Sequence, residues 1–120
     1  MIRPFPLQLA KRQYEFIPQA ILNEPVDDLA KRFGLKIEEG TDDFDYFYGT
    51  AASIDDFPLL GDTPFAVMHY KGHPDNTATI YLPFDIKDVS TITDIISRIL
   101  SELRLPSHAL RWQRRDNPDY

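Results

Sequence analysis

Seven apolar residues, Val89, Ile92, Ile95, Ile96, Ile99, Leu100 and Leu103, recur at the helical period in the last third of the chain. Residues three and four apart share one helix face, so the spacing predicts a helix of about 14 residues, roughly 21 Å long. Its apolar stripe is too wide to stay in water and has to lie on another element. What precedes it alternates like β-structure. In residues 65–71, Phe65, Val67 and His69 face opposite to Ala66, Met68 and Tyr70, and in residues 78–84, Ala78, Ile80, Leu82 and Phe84 form an apolar face. The polar loop Gly72-His73-Pro74-Asp75-Asn76-Thr77 joins the two as a hairpin. Ser90 or Thr91 can cap the helix, Thr91 with Asp94 fits a capping box, and Pro106 stops it.

Upstream, Leu7, Ala10, Tyr14 and Ile17 have helical spacing over residues 7–16, although Gln13-Tyr14-Glu15-Phe16-Ile17 also alternates. Pro18 ends or kinks that element. A second short helix is predicted over residues 25–33. Pro25 suits a first position, Asp27 and Asp28 sit in the first turn, and Gly34 stands where a left-handed cap belongs. Residues 35–39 alternate as a strand, and Gly40-Thr41-Asp42-Asp43 is a turn. A longer strand follows, with Phe44, Tyr46, Tyr48, Thr50, Ala52 and Ile54 on one face and Asp45, Phe47, Gly49, Ala51 and Ser53 on the other. After the long helix, Leu110 and Trp112 alternate with Arg111 and Gln113, which predicts a short last strand with Trp112 pointing inward. Residues 116–120 are expected to fray.

The expected fold is therefore one α+β domain spanning residues 1–120. It has a curved antiparallel sheet of four to five strands, a long C-terminal helix on one face, and short N-terminal helices. A chain of 120 residues is long enough for one core without staples. It contains no cysteine, which excludes disulfides, thiolate catalysis and cysteine-ligated metals and fits a reducing compartment. No apolar run reaches the roughly 20 residues that a membrane helix needs, and Pro4, Pro6 and Lys11-Arg12 interrupt any leader-like segment. A cytoplasmic protein without a membrane partner is expected.

The charge is segregated along the chain. Residues 24–62 carry eleven acids against Lys31, Arg32 and Lys36, while residues 98–115 carry Arg98, Arg104, Arg111, Arg114 and Arg115 against Glu102 alone. The acidic total of -6 counts against duplex nucleic acid as a partner. The basic patch with Trp112 could stack on a single strand, but it also serves to offset the acids within the fold or across a homodimer. Val26 to Leu35 resembles the start of a helix-turn-helix, yet the acidic, strand-like Lys36 to Asp43 stands where the recognition helix should be.

Acid pairs occur at Asp27-Asp28, Glu38-Glu39, Asp42-Asp43 and Asp55-Asp56. The last two lie in turns at opposite ends of one strand, some 35 Å apart, too far to share an ion. No calcium-loop, phosphate-loop or Gly-x-Ser-x-Gly pattern is present. His69 and His73 straddle a strand end, and His108 is isolated, so neither a metal nor another cofactor is expected. No catalytic residue stands out. What remains is the acidic–aromatic run Asp42-Asp43-Phe44-Asp45-Tyr46-Phe47-Tyr48, whose composition suits a protein interface. Phe47 shares the Asp45 face, so either this strand is covered on both faces or an aromatic is exposed. The expected function is a small acidic protein-binding module that masks or neutralises a basic partner. It would use Asp42, Asp43, Asp45, Asp55 and Asp56, with Phe47 as apolar anchor. The alternatives are a small enzyme using His69 in a pocket between sheet and helix, and a homodimeric structural subunit.

Overall fold

The computed structural model describes residues 1–115. Its elements run β1 (Ile2–Phe5), α1 (Leu7–Gln13), β2 (Phe16–Leu22), α2 (Val26–Phe33), β3 (Glu38–Asp42), β4 (Asp45–Ile54), β5 (Phe65–Tyr70), β6 (Ala78–Pro83), α3 (Val89–Glu102) and β7 (Leu110–Gln113). All the strands join one antiparallel sheet of order β1-β4-β5-β6-β2-β7, with β3 also paired to β4. The α+β class is as expected, but the sheet has seven strands rather than four to five. The long helix is also not the C-terminal element, because β7 follows it and pairs with β2.

Strand β4 organises one side of the sheet. On one flank it pairs with β5; on the other, its first half pairs with β3 and its second half with β1. At Gly49 the β4 and β5 backbones approach so closely that an added Cβ would lie 2.5 Å from the Val67 carbonyl oxygen. Strand β2 replaces the C-terminal end of the first predicted helix, which stops after Gln13. Pro18 sits beside a β-bulge where the register with β6 shifts between Pro18 and Ala20. A bulge tolerates a residue that has no N–H to give to the ladder.

Both faces of the sheet are covered. On one, α2 and α3 bring Val26, Leu29, Ile92, Ile95, Ile96 and Ile99 against Ala52, Phe65, Val67, Ile80 and Leu82. On the other, α1 sets Leu7 and Ala10 on Phe47, Ala51, Ala66, Met68 and Tyr81. The predicted stripe of α3 is buried from Ile92 to Leu103, while Val89 stays outside the core, and the cap differs from the expected one. Asp88 accepts the Thr91 N–H at 2.9 Å and the Thr91 hydroxyl at 2.8 Å. Gly34 closes α2 in the left-handed conformation, as expected. Expectations about residues 116–120 lie outside the described residues.

Trp112 points outward and is 42% exposed. The register between β2 and β7 shifts between Ile21 and Leu22, and Gln113 reaches toward the helical layer, its amide donating to the Thr93 hydroxyl at 3.0 Å. Trp112, paired with Ile21, therefore takes the opposite face.

Gln19, at the β2 bulge, is fully buried, and neither its side-chain N–H nor its carbonyl has a hydrogen-bond partner among the described residues. An amide removed from water without replacement bonds costs about 1–3 kcal/mol. Methionine has nearly the same length and volume. Gln19→Met is expected to raise the urea midpoint by an amount equivalent to about 1–2 kcal/mol, with an unchanged denaturant slope. A midpoint that stays put or falls would mean that the amide is satisfied in solution, for example by a buried water.

Candidate functional site: the acidic hairpin

Strands β3 and β4 are joined by a two-residue loop, Asp43-Phe44, closed by the facing pair Asp42 and Asp45. Both loop residues have positive φ, 46° at Asp43 and 76° at Phe44. A two-residue hairpin needs this geometry because it matches the twist of the flanking strands, and Asn-Gly or Asp-Gly normally supplies it. A bulky side chain in the left-handed region costs roughly 1–2 kcal/mol. Phe44 carries that strain and is also wholly exposed, at 102%. The two aspartates face each other across the last rung, a like-charge pairing that the fold tolerates because Lys11 pairs with Asp42. At Phe44 the tip thus departs from what stability alone would select, and in doing so holds a bare phenyl ring between acids.

Beneath the tip the hairpin is tied down on its Asp42 side. Lys11, at the end of α1, and the Tyr70 hydroxyl both donate to Asp42 Oδ2, and Lys11 Nζ also lies 3.0 Å from the Tyr70 oxygen. The ammonium sits 4.3 Å from the centroid of the Phe47 ring. Burial pushes the Asp42 carboxyl up, but the Lys11 and Tyr70 hydrogen bonds and the Lys11 charge prevail and hold it below the usual carboxylate range. Burial and the bond to Asp42 push the Tyr70 phenol strongly up. At the start of α1, Glu38 of β3 accepts the backbone N–H groups of Leu7 and Gln8. On the other sheet face, Tyr46 donates to Glu39 at 2.8 Å, and its ring begins a ladder through Tyr48 and His69 to His73, with centroids 6.3, 5.4 and 5.7 Å apart.

Phe47 cannot be the exposed anchor expected from the sequence. It is 1% exposed, buried under Leu7 and Ala10, because α1 covers that face of β4. Phe44, assigned from the pattern to the strand, takes the exposed place because it falls in the turn instead. The candidate acids divide into two groups. Asp42, Asp43 and Asp45 gather at the tip, while Asp55 and Asp56 stand just past the other end of β4, about 30 Å away at 3.3 Å per residue. There Asp55 pairs with Arg3 at 3.0 Å, and with Asp56, Asp62 and Arg3 it lines an open cleft of about 690 Å³.

The basic residues divide too. Arg98 bonds Glu102 at 2.9 Å and lies over the Phe57 ring, near the Asp55 end of β4, and Arg104 lies over Phe33. Arg111 and Arg114 belong to the β7 edge, across the sheet from the hairpin. Arg114 is partly engaged within the fold, its Nε donating to the Pro18 carbonyl at 2.9 Å. Arg115 is exposed and ends the described chain. His69 stacks on Tyr48, with its Nδ1 3.0 Å from the Thr77 carbonyl oxygen, the placement of a packed ring. Among the described residues no group of three or more His, Cys, Asp or Glu is arranged to hold a metal ion, and no helix is long and apolar enough to cross a membrane.

The titration of the fold follows from these contacts. His73 is lowered by burial and by the neighbouring His69, while its Nδ1 accepts the Tyr70 N–H at 3.3 Å. Its contribution is complete above the ordinary histidine value of 6.5 and erodes as pH falls from there toward the folded-state value. Asp42, Asp88 and Glu102 are held low, the last first by its bond to the N-terminal amine. Their contribution is present above the ordinary carboxylate range and is lost as pH falls through their folded-state values. Urea midpoints measured across pH should therefore decline in two stages. His73→Ala should remove the upper stage and leave the lower one; an upper stage that survives in that variant would assign it elsewhere.

Compared with protein-family models, curated proteins and solved structures, the chain matches none.

Proposed function

We propose that the chain is a small acidic, non-enzymatic protein-binding module that engages a basic protein partner through the β3–β4 hairpin, masking or neutralising it. One observation carries the reading: Phe44 is wholly exposed in a strained left-handed backbone, flanked by Asp43 and Asp45. Exposed aromatics supply most of the energy of protein interfaces, and uncompensated charge around them raises the rate of encounter with an oppositely charged partner. Asp42 belongs to the hairpin's support through Lys11, so Asp43 and Asp45 are the acids left to face a partner. The absence of cysteine fits a reducing compartment such as the cytoplasm.

The test is capture from a native extract at low salt with matched baits. The wild-type chain should retain a basic protein that salt elutes, and Phe44→Ala should lose it. A bait carrying Asp43→Asn and Asp45→Asn should bind it more slowly. Arg111→Ala, at the far edge, should behave as wild type. Equal retention by wild type and Phe44→Ala would reject the reading. The opposite signs of the hairpin and the β7 edge favour one secondary reading, a head-to-tail homodimer. It predicts a sedimentation coefficient that rises with concentration at low salt and falls with added salt.

A further inference from the structure

A cavity of about 430 Å³ opens beside the hairpin, between the end of α1 and the sheet face formed by β5 and β6. Its walls include Lys11, Glu15, Asp42, Asp43, Tyr70 and Tyr81. We propose that this cavity binds an organic cation, an alkylammonium or guanidinium group.

Three observations converge. First, three carboxylates line the space against one ammonium, and that ammonium is already bonded to Asp42, so Glu15 and Asp43 keep uncompensated charge. An anion would be repelled. Second, Tyr81 is 7% exposed, and its hydroxyl makes no hydrogen bond to a described residue, although the rest of its ring is packed 6.0 Å from that of Tyr70. The ring is buried while the hydroxyl opens into the cavity with no bond to a described residue, so it is a free acceptor for an N–H group. Burial and the field of Asp42 push its pKa strongly up, so the phenol stays neutral. Third, the acids line the walls but do not converge into a metal-binding group. Diffuse negative potential and aromatic walls suit a monovalent organic cation, which keeps N–H donors and an apolar stem, better than a divalent ion that needs converging carboxylates. The volume lies within the range of small-ligand sites.

For the cation's source, the proposal rests on the reading of the hairpin as a docking element. An Arg or Lys side chain of the partner would enter the cavity as Phe44 seats. The experiment separates the two ideas. Aromatic NMR shifts are followed while n-butylguanidinium, n-butylammonium and the neutral n-butylurea are titrated into the intact chain. The cations should give saturable shifts at Tyr70 and Tyr81, with Kd of about 1 mM, and the urea should give none. Tyr81→Phe, and separately Glu15→Gln with Asp43→Asn, should weaken the cations about tenfold, as loss of a charge-assisted hydrogen bond does. Phe44→Ala should leave their affinity unchanged even where it abolishes partner capture. Competition between n-butylguanidinium and the captured partner would assign the cation to the partner's side chain. Cation binding without competition would assign the pocket to a free small amine. Absence of saturable shifts, or equal shifts with n-butylurea, would overturn the proposal whatever Phe44 does.

Discussion

Replacing Asp43-Phe44 by Asn-Gly is expected to make the protein more stable and less able to bind. Both residues occupy left-handed backbone, at φ 46° and 76°. Asn and Gly populate that region at low cost, and together they are the preferred pair for a two-residue hairpin. Relief of the Phe44 strain alone should contribute roughly 1–2 kcal/mol, visible as a higher urea midpoint. Because Phe44 is wholly exposed, its removal sacrifices no packing. The same substitution deletes the apolar anchor and one charge. Loss of a central aromatic from an interface costs about 2 kcal/mol or more, which is roughly thirtyfold or more in Kd. Opposite signs in the two measurements are the signature of a strained element kept for recognition. A variant that gains stability and retains full partner affinity would leave the strain without a purpose. One that loses stability would show that Phe44 packs in solution.

The second large effect is expected at Gly49→Ala. The added methyl would fall 2.5 Å from the Val67 carbonyl oxygen and 2.8 Å from the Met68 Cα. Both are backbone atoms of the paired strand, so no rotamer change makes room. The β4–β5 ladder has to separate locally, and a loss of about 3 kcal/mol is expected, at the upper end of overpacking costs. Thermal or urea unfolding measures it. The effect should spread beyond the site, because the residues after Gly49 hold β1 and those before it hold β3. Amide exchange should quicken in β1, β3, β4 and β5. A loss under about 0.5 kcal/mol, the range of neutral surface changes, would contradict the close approach.

The parts of the fold that could be read in the sequence are those whose pattern is set by one buried face. Helix α3 shows its stripe because its apolar positions from Ile92 to Leu103 are buried in one core with the sheet. Helix α2 shows its ends because Asp27, Asp28 and Gly34 serve local needs of the backbone. Strand β1 was not legible: it is four residues long, includes Pro4, and only its end residues are partly buried. Strand β2 was masked by Pro18 and by a bulge that breaks the alternation. The orientation of Trp112 depends on a register shift against β2, a strand nearly ninety residues earlier, and no local pattern encodes it. At the candidate site, the concentration of acids and aromatics was legible in composition. Which aromatic faces water was not, because that depends on α1 lying over Phe47 and on the turn closing one residue later than the alternation suggested.

The strand order also dictates how the molecule can assemble itself in time. Strands β3 to β6 form a meander in which each pairs with the next in sequence. The remaining strands close over long spans: Ile2 meets Ile54, Leu22 meets Ala78, and Leu22 again meets Leu110. Long loops cost entropy before their contacts repay it, so the meander is expected to form early and β1, β2 and β7 to add afterwards, within milliseconds to seconds. During synthesis the apolar β2 emerges well before either of its neighbours exists. The nascent N-terminal third must wait with an unpaired strand, which makes this segment the natural client of a chaperone and the place where truncated chains would aggregate.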